Sequence, residues 1–183
     1  MISFIDKLKT NISDKNSNLC VGIDIDKKYF NDNVSLDEMM DYSMMVVDAT
    51  SDLAAAYKPN LAFFEEWGSK GYYWLENLMK HIGNDHVVIA DAKRGDIGNT
   101  SSMYAKAFFE NMNFDSVTVA PYMGKDSVQP FFVYDNKWVI LLALTSNEGG
   151  KNFQLIESNG KALYQQVLET SSEWGTASNM MFV

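Results

Sequence analysis

Val87-Val88-Ile89-Ala90-Asp91-Ala92-Lys93-Arg94-Gly95-Asp96-Ile97-Gly98-Asn99-Thr100 starts as an apolar run and ends in crowded charge. Its first half has the length and β-branched character of a buried strand. Residues two apart on a strand share a face, so Asp91 and Lys93 are expected side by side where the strand leaves the core. Gly95 lets the backbone turn before Asp96. Gathering Asp91, Lys93 and Asp96 at the mouth of an apolar strand costs folding free energy unless they neutralise one another, which marks the segment as a candidate functional site. The plain alternative is a surface salt bridge at a strand end.

On either side of this segment, apolar strand-like runs alternate with helical periodicity, the pattern of βα units around a parallel sheet. Strands are expected at Leu19–Ile25, Ala56–Phe63, Val87–Lys93, Ser116–Tyr122 and Trp138–Thr145, with the start of a sixth at Asn179–Val183. Ser35 and Glu38 have the spacing of a capping box. The helix they open carries Met39, Met40, Val46, Val47, Leu53 and Ala54 near a 3.6 spacing, which reads as core packing. Further helices are expected at Trp67–Ile82, Ser102–Asn111, Lys125–Tyr134 and Leu163–Trp174. Asn11–Asn18 and Asn147–Gly160 read as polar loops, and residues 1–183 as a single domain without repeat or linker.

Apolar residues at 46% and charged residues at 21% are the proportions of a globular domain able to bury a core. A net charge of -9 argues against a nucleic-acid binder, although a few lysines can still hold one small anion. The single cysteine, Cys20, within Leu19-Cys20-Val21, reads as a buried apolar thiol. His81 and His86 are expected in a helix-to-strand connection, as neither metal ligands nor partners of a nucleophile. Met1-Ile2-Ser3-Phe4-Ile5-Asp6-Lys7 breaks its hydrophobicity too early for a signal peptide, and no apolar run reaches the roughly 20 residues of a membrane span. A cytoplasmic protein without a membrane partner is expected.

Asp91-x-Lys93-x-x-Asp96-Ile97, with Val88-Ile89 before it and Gly98-Asn99-Thr100 after it, resembles the signature of the orotidine 5'-phosphate decarboxylase family. Val21-Gly22-Ile23-Asp24, Tyr57-Lys58-Pro59-Asn60-Leu61-Ala62-Phe63-Phe64-Glu65 and Leu142-Ala143-Leu144-Thr145-Ser146-Asn147 extend the resemblance in the expected order. The Lys-Pro-Asn form is similar to the longer bacterial branch.

That resemblance implies a (β/α)8 barrel whose site forms at the C-terminal ends of the strands. It implies decarboxylation of orotidine 5'-monophosphate without cofactor or metal, so the chain must stabilise a carbanion electrostatically and deliver a proton. Lys93 is then the proton donor to C6, and Asp91 sits near the departing carboxylate. Lys58 and Asp96 complete a Lys-Asp-Lys-Asp array that keeps Lys93 protonated. In the family the last Asp comes from the neighbouring subunit, so a homodimer sharing Asp96 is implied. Asp24 and Thr100 would bind the ribose, Thr100 reaching across the dimer, and Ser146 the pyrimidine edge. As plain structure, Asp24 would be a turn residue, and Thr100 and Ser146 loop or cap residues.

A typical barrel needs about 250 residues, and this chain has 183. It is expected to be an incomplete barrel, truncated at its C-terminus, with about five strands and the start of a sixth. The family grips phosphate after strands seven and eight, including through an arginine, which leaves Arg94, Lys125 and Lys151 as solvated surface charge. Two rivals stay open. Metal-dependent sugar-phosphate decarboxylases and aldolases of the same suprafamily share D-x-K-x-x-D and use acidic ligands for Mg²⁺. The chain could also be a non-catalytic binding protein or an inactive fragment.

Overall fold

The computed structural model describes residues 3–31 and 33–183; Met1 and Ile2 of the opening segment, and Asp32, lie outside them. The chain divides into two compact units, Met1–Ala92 and Lys93–Val183.

The first unit opens with helix α1, Phe4–Lys15, started by the Ser3 hydroxyl accepting the Asp6 N–H and ended by Asn16 in the left-handed region. Strand β1, Leu19–Ile23, pairs in parallel with β2, Ala54–Pro59, from Cys20↔Ala56 to Ile23↔Pro59. Parallel neighbours need a crossover, which helix α2, Leu36–Thr50, supplies. The Ser35–Glu38 capping box forms as expected: the Ser35 hydroxyl accepts the Glu38 N–H and the Glu38 carboxylate accepts the Ser35 N–H. A short helix α3, Ala62–Glu65, and helix α4, Ser69–Ile82, lead to β3, Val87–Arg94, whose start pairs with β2 through Ala56↔Val87 and Tyr57↔Val88.

The core of this unit includes Ile23, Met39, Val47, Tyr57, Phe64, Trp74, Leu75 and Leu78, all buried. Two close fits lock its helices. Trp74 Nε1 donates to Ser43 Oγ at 2.9 Å, and Ser43 Oγ donates to the Met40 carbonyl. Gly71 presses so near the end of α3 that a Cβ there would lie 1.7 Å from the Phe64 carbonyl oxygen.

In the second unit, helix α5, Gly98–Lys106, passes into a π-helical turn, Ala107–Asn111. Strand β4, Ser116–Val119, pairs in parallel with β5, Trp138–Leu141. Helix α6, Lys125–Val128, and a 3₁₀ turn, Gln129–Val133, lie between them. A small antiparallel hairpin joins β6, Glu157–Ser158, to β7, Lys161–Ala162. Helix α7, Leu163–Ser171, follows, and β8, Met180–Phe182, then pairs in parallel with β5. Phe108, Phe114, Val117, Phe131, Val139 and Leu141 form this unit's core.

Several expectations need correction. Asn11–Asn18 is not a loop through Lys15: helix α1 occupies it, because Asn11 is buried and its side-chain amide donates to the carbonyls of Lys7 and Asp85. The hairpin and a 3₁₀ turn, Glu148–Asn152, interrupt the expected loop at 147–160. Ala62 and Phe63 leave the expected second strand to join α3, and Leu53 and Ala54 lie beyond the end of α2. His81 sits in the last turn of α4, its ring nitrogen 2.7 Å from Asp48, rather than in the connection. Among the described residues no helix is long and apolar enough to cross a membrane.

Candidate active site

In the first unit, Lys58 is the penultimate residue of β2, and its Nζ lies 3.0 Å from Asp91 Oδ2. Asp91 is buried, whereas the Lys58 side chain keeps about a third of its surface exposed. A carboxylate in that position needs a cation, and removing the lysine would strand the charge at a cost of up to about 3–5 kcal/mol, less the screening that the exposed ammonium already feels. The main chain fixes Asp91 as well: its carbonyl accepts the Leu61 N–H at 3.1 Å, and Asn60 bridges to it in parallel.

Asp24 follows β1 directly and is exposed. Asn60 Nδ2 donates to Asp24 Oδ2 at 3.4 Å, so the Lys58-Pro59-Asn60 segment reaches both acids, one through each of its polar residues. Asp24 also lines a cleft of about 450 Å³ with Tyr29, Phe30 and Tyr42. Asn60 was not among the expected site residues; its signal was its place two residues beyond Lys58 at a strand end.

Cys20 departs from expectation, being exposed on β1. Atoms crowding the sulfur still push its thiol above the ordinary range by desolvation, and the nearby Lys58 charge opposes them.

The second unit begins at Lys93, still in β3 and exposed, with φ +47°. Left-handed backbone costs a residue with a Cβ roughly 1–2 kcal/mol. Its N–H donates to the Thr118 hydroxyl at 2.8 Å, and the next carbonyl, that of Arg94, accepts the Ala120 N–H at 2.7 Å. Arg94 is not solvated surface charge: it is half-buried, its guanidinium 5.4 Å from the Tyr104 ring centre and 5.7 Å from that of Phe108. Lys125 and Lys151 are exposed, as expected.

Asp96 is half-buried and accepts the N–H of Ile97 at 2.8 Å. Thr100 lies exposed in the first turn of α5, and Ser146 lies exposed beyond β5. The loop around Ser146 is pinned by Gln154, whose side-chain Oε1 accepts the Thr145 N–H. Lys58 and Asp91 are thus in contact, as is Asp24 with Asn60. Lys93, Asp96 and Thr100 succeed one another from the end of β3 into α5.

Comparison with known proteins places the chain in one family. A model of the Orotidine 5'-phosphate decarboxylase / HUMPS family matches residues 17–181. The orotidine 5'-phosphate decarboxylase of Flavobacterium johnsoniae is 53% identical over 97% of this chain and 67% of its own length. That of Bacteroides fragilis is 53% identical over 94% of this chain and 65% of its own. The chain therefore spans about two thirds of the length of these curated relatives. Among solved structures, Leishmania donovani OMP decarboxylase superposes with a TM-score of 0.88 at 34% identity, over 99% of this chain and 70% of that one. Leishmania donovani UMP synthase superposes at 0.90 and 34%, over all of this chain and 39% of that one. These likenesses bear out the α/β fold class, an incomplete (β/α)8 barrel. With the signature segments, the family model and the relatives in agreement, the chain belongs to the orotidine 5'-phosphate decarboxylase / HUMPS family.

Proposed function

We propose that this protein decarboxylates orotidine 5'-monophosphate to uridine 5'-monophosphate, the last step of de novo pyrimidine nucleotide synthesis. It does so in the cytoplasm, as a homodimer, with no cofactor or metal. The observation that carries this reading is the ion pair between Lys58 and the buried Asp91, on the strand that also bears Lys93. The relatives' names supply the substrate.

Breaking the bond from C6 to the carboxylate releases CO₂ and leaves its electron pair on C6, where no electron sink is available. The Lys93 ammonium stabilises that pair and gives its proton to C6, so that C6–H replaces the lost bond and Lys93 is left as a neutral amine. Lys58 holds Asp91 as a carboxylate, whose repulsion of the substrate carboxylate disappears as CO₂ departs. Asp96 from the neighbouring subunit completes the charge array. Asp24 and Thr100 bind the ribose, and Ser146 the pyrimidine edge.

The test is Lys93→Ala in the full-length protein. Its role belongs to the transition state, so kcat should fall by at least about 10⁴-fold, beyond the usual gain from a single proton donor because electrostatic stabilisation is lost too. The circular dichroism spectrum should be unchanged. Turnover near that of the unmodified protein would remove Lys93 from the mechanism.

A further inference from the structure

Five non-glycine residues have positive φ among the described residues: Asn16, Asn113, Asn136, Asn159 and Lys93. Asparagine enters the left-handed region readily, and lysine does not. A residue stays there only where its surroundings over-determine it, and the surroundings of Lys93 are specific. In a regular parallel strand its N–H would face a neighbouring carbonyl; here the acceptor is a side chain, the Thr118 hydroxyl, at 2.8 Å. Thr118 is buried within Ser116-Val117-Thr118-Val119, so water is poorly placed to substitute for it. Two residues further along, the Ala120 N–H holds the Arg94 carbonyl, and Gly95 passes so close that a Cβ there would lie 3.2 Å from the Ala120 carbonyl oxygen. The segment from Thr118 to Ala120 therefore grips the chain on both sides of the strained residue.

We infer that Thr118 is a positioning residue for Lys93, its hydroxyl fixing the left-handed turn from which the lysine side chain is presented. The inference rests on the reading of Lys93 as proton donor. Without that acceptor the left-handed turn loses the side-chain anchor of its Lys93 N–H, and the backbone relaxes toward negative φ. The ammonium is then displaced, and displacements near 1 Å can cost about 100-fold in rate.

The experiment compares Thr118→Val, which keeps the shape and loses the acceptor, with Thr118→Ser, which keeps the acceptor, in the full-length protein. Thr118→Val should lower kcat about 10- to 100-fold, leave KM within a few-fold, and speed hydrogen exchange at the Lys93 amide. Thr118→Ser should restore both kcat and amide protection. Should Thr118→Val not fold, Thr118→Cys, with a weak acceptor of similar size, takes its place with the same ordering expected. An unchanged kcat in Thr118→Val, equal losses in the Val and Ser variants, or an equally protected Lys93 amide would each overturn the inference. Lys93→Ala, assayed alongside, separates the two failures: an active Lys93→Ala overturns the donor reading and this role with it. An inactive Lys93→Ala beside a fully active Thr118→Val overturns the positioning role alone.

Discussion

Cys20 was expected to be buried and is exposed, and the reason lies in its strand rather than in the residue. Among the described residues β1 is paired along one edge only, with β2, so an apolar Leu19-Cys20-Val21 run does not secure burial on both faces. The thiol is nevertheless desolvated, which disfavours the thiolate and raises the pKa, while Lys58 favours the thiolate. At about pH 8.5, the ordinary thiol midpoint, iodoacetamide should alkylate Cys20 more slowly than a free cysteine. The rate should climb as pH rises further, and Lys58→Gln should slow it again by removing the opposing charge. Alkylation as fast as that of free cysteine would contradict the crowding. At Lys93 and Arg94 the sequence made the charges legible but not the conformation: nothing in a lysine side chain announces positive φ, and Arg94's aromatic neighbours Tyr104 and Phe108 lie in the following helix and π turn. Asp91 with Lys58 was legible through the family resemblance, which sets both in one charge array, although Asp91 lies within β3 rather than at its end.

Elements were legible where a side chain writes its own boundary. The Ser35–Glu38 box marked the start of α2, but the end at Thr50 carries no Gly or Pro, so the apolar stripe was carried too far, into Leu53 and Ala54. Helix α1 was missed for the opposite reason: its Asn and Ser residues argue locally for a loop, and a long-range hydrogen bond from Asn11 to Asp85 overrides them. Two substitutions test the packing of α2, α3 and α4. Ser43→Ala should destabilise the protein by about 1–3 kcal/mol in urea unfolding, because it leaves the fully buried Trp74 Nε1–H without its acceptor. Gly71→Ala should cost more than about 3 kcal/mol, since the contact at 1.7 Å is with backbone that cannot swing aside. A loss under 0.5 kcal/mol in Gly71→Ala would mean that α3 and α4 are not packed this closely.

For the whole molecule, the proposed sharing of Asp96 between subunits makes a prediction that no single variant can. Full-length Asp96→Ala and Lys93→Ala subunits, each inactive alone, should regain up to about half of a normal dimer's activity per mixed dimer, because one of its two sites receives both intact residues. Verified mixed dimers without activity would show that each site is built from one chain. Whether the proposed turnover of orotidine 5'-monophosphate runs on electrostatics and a lysine proton alone is read directly in one assay. Purified full-length protein is incubated with orotidine 5'-monophosphate in excess EDTA, following loss of substrate absorbance and identifying the nucleotide formed. Uridine 5'-monophosphate and CO₂ should form in equal amounts at a rate that EDTA leaves unchanged. No turnover, or turnover that appears only when Mg²⁺ is restored, would contradict it.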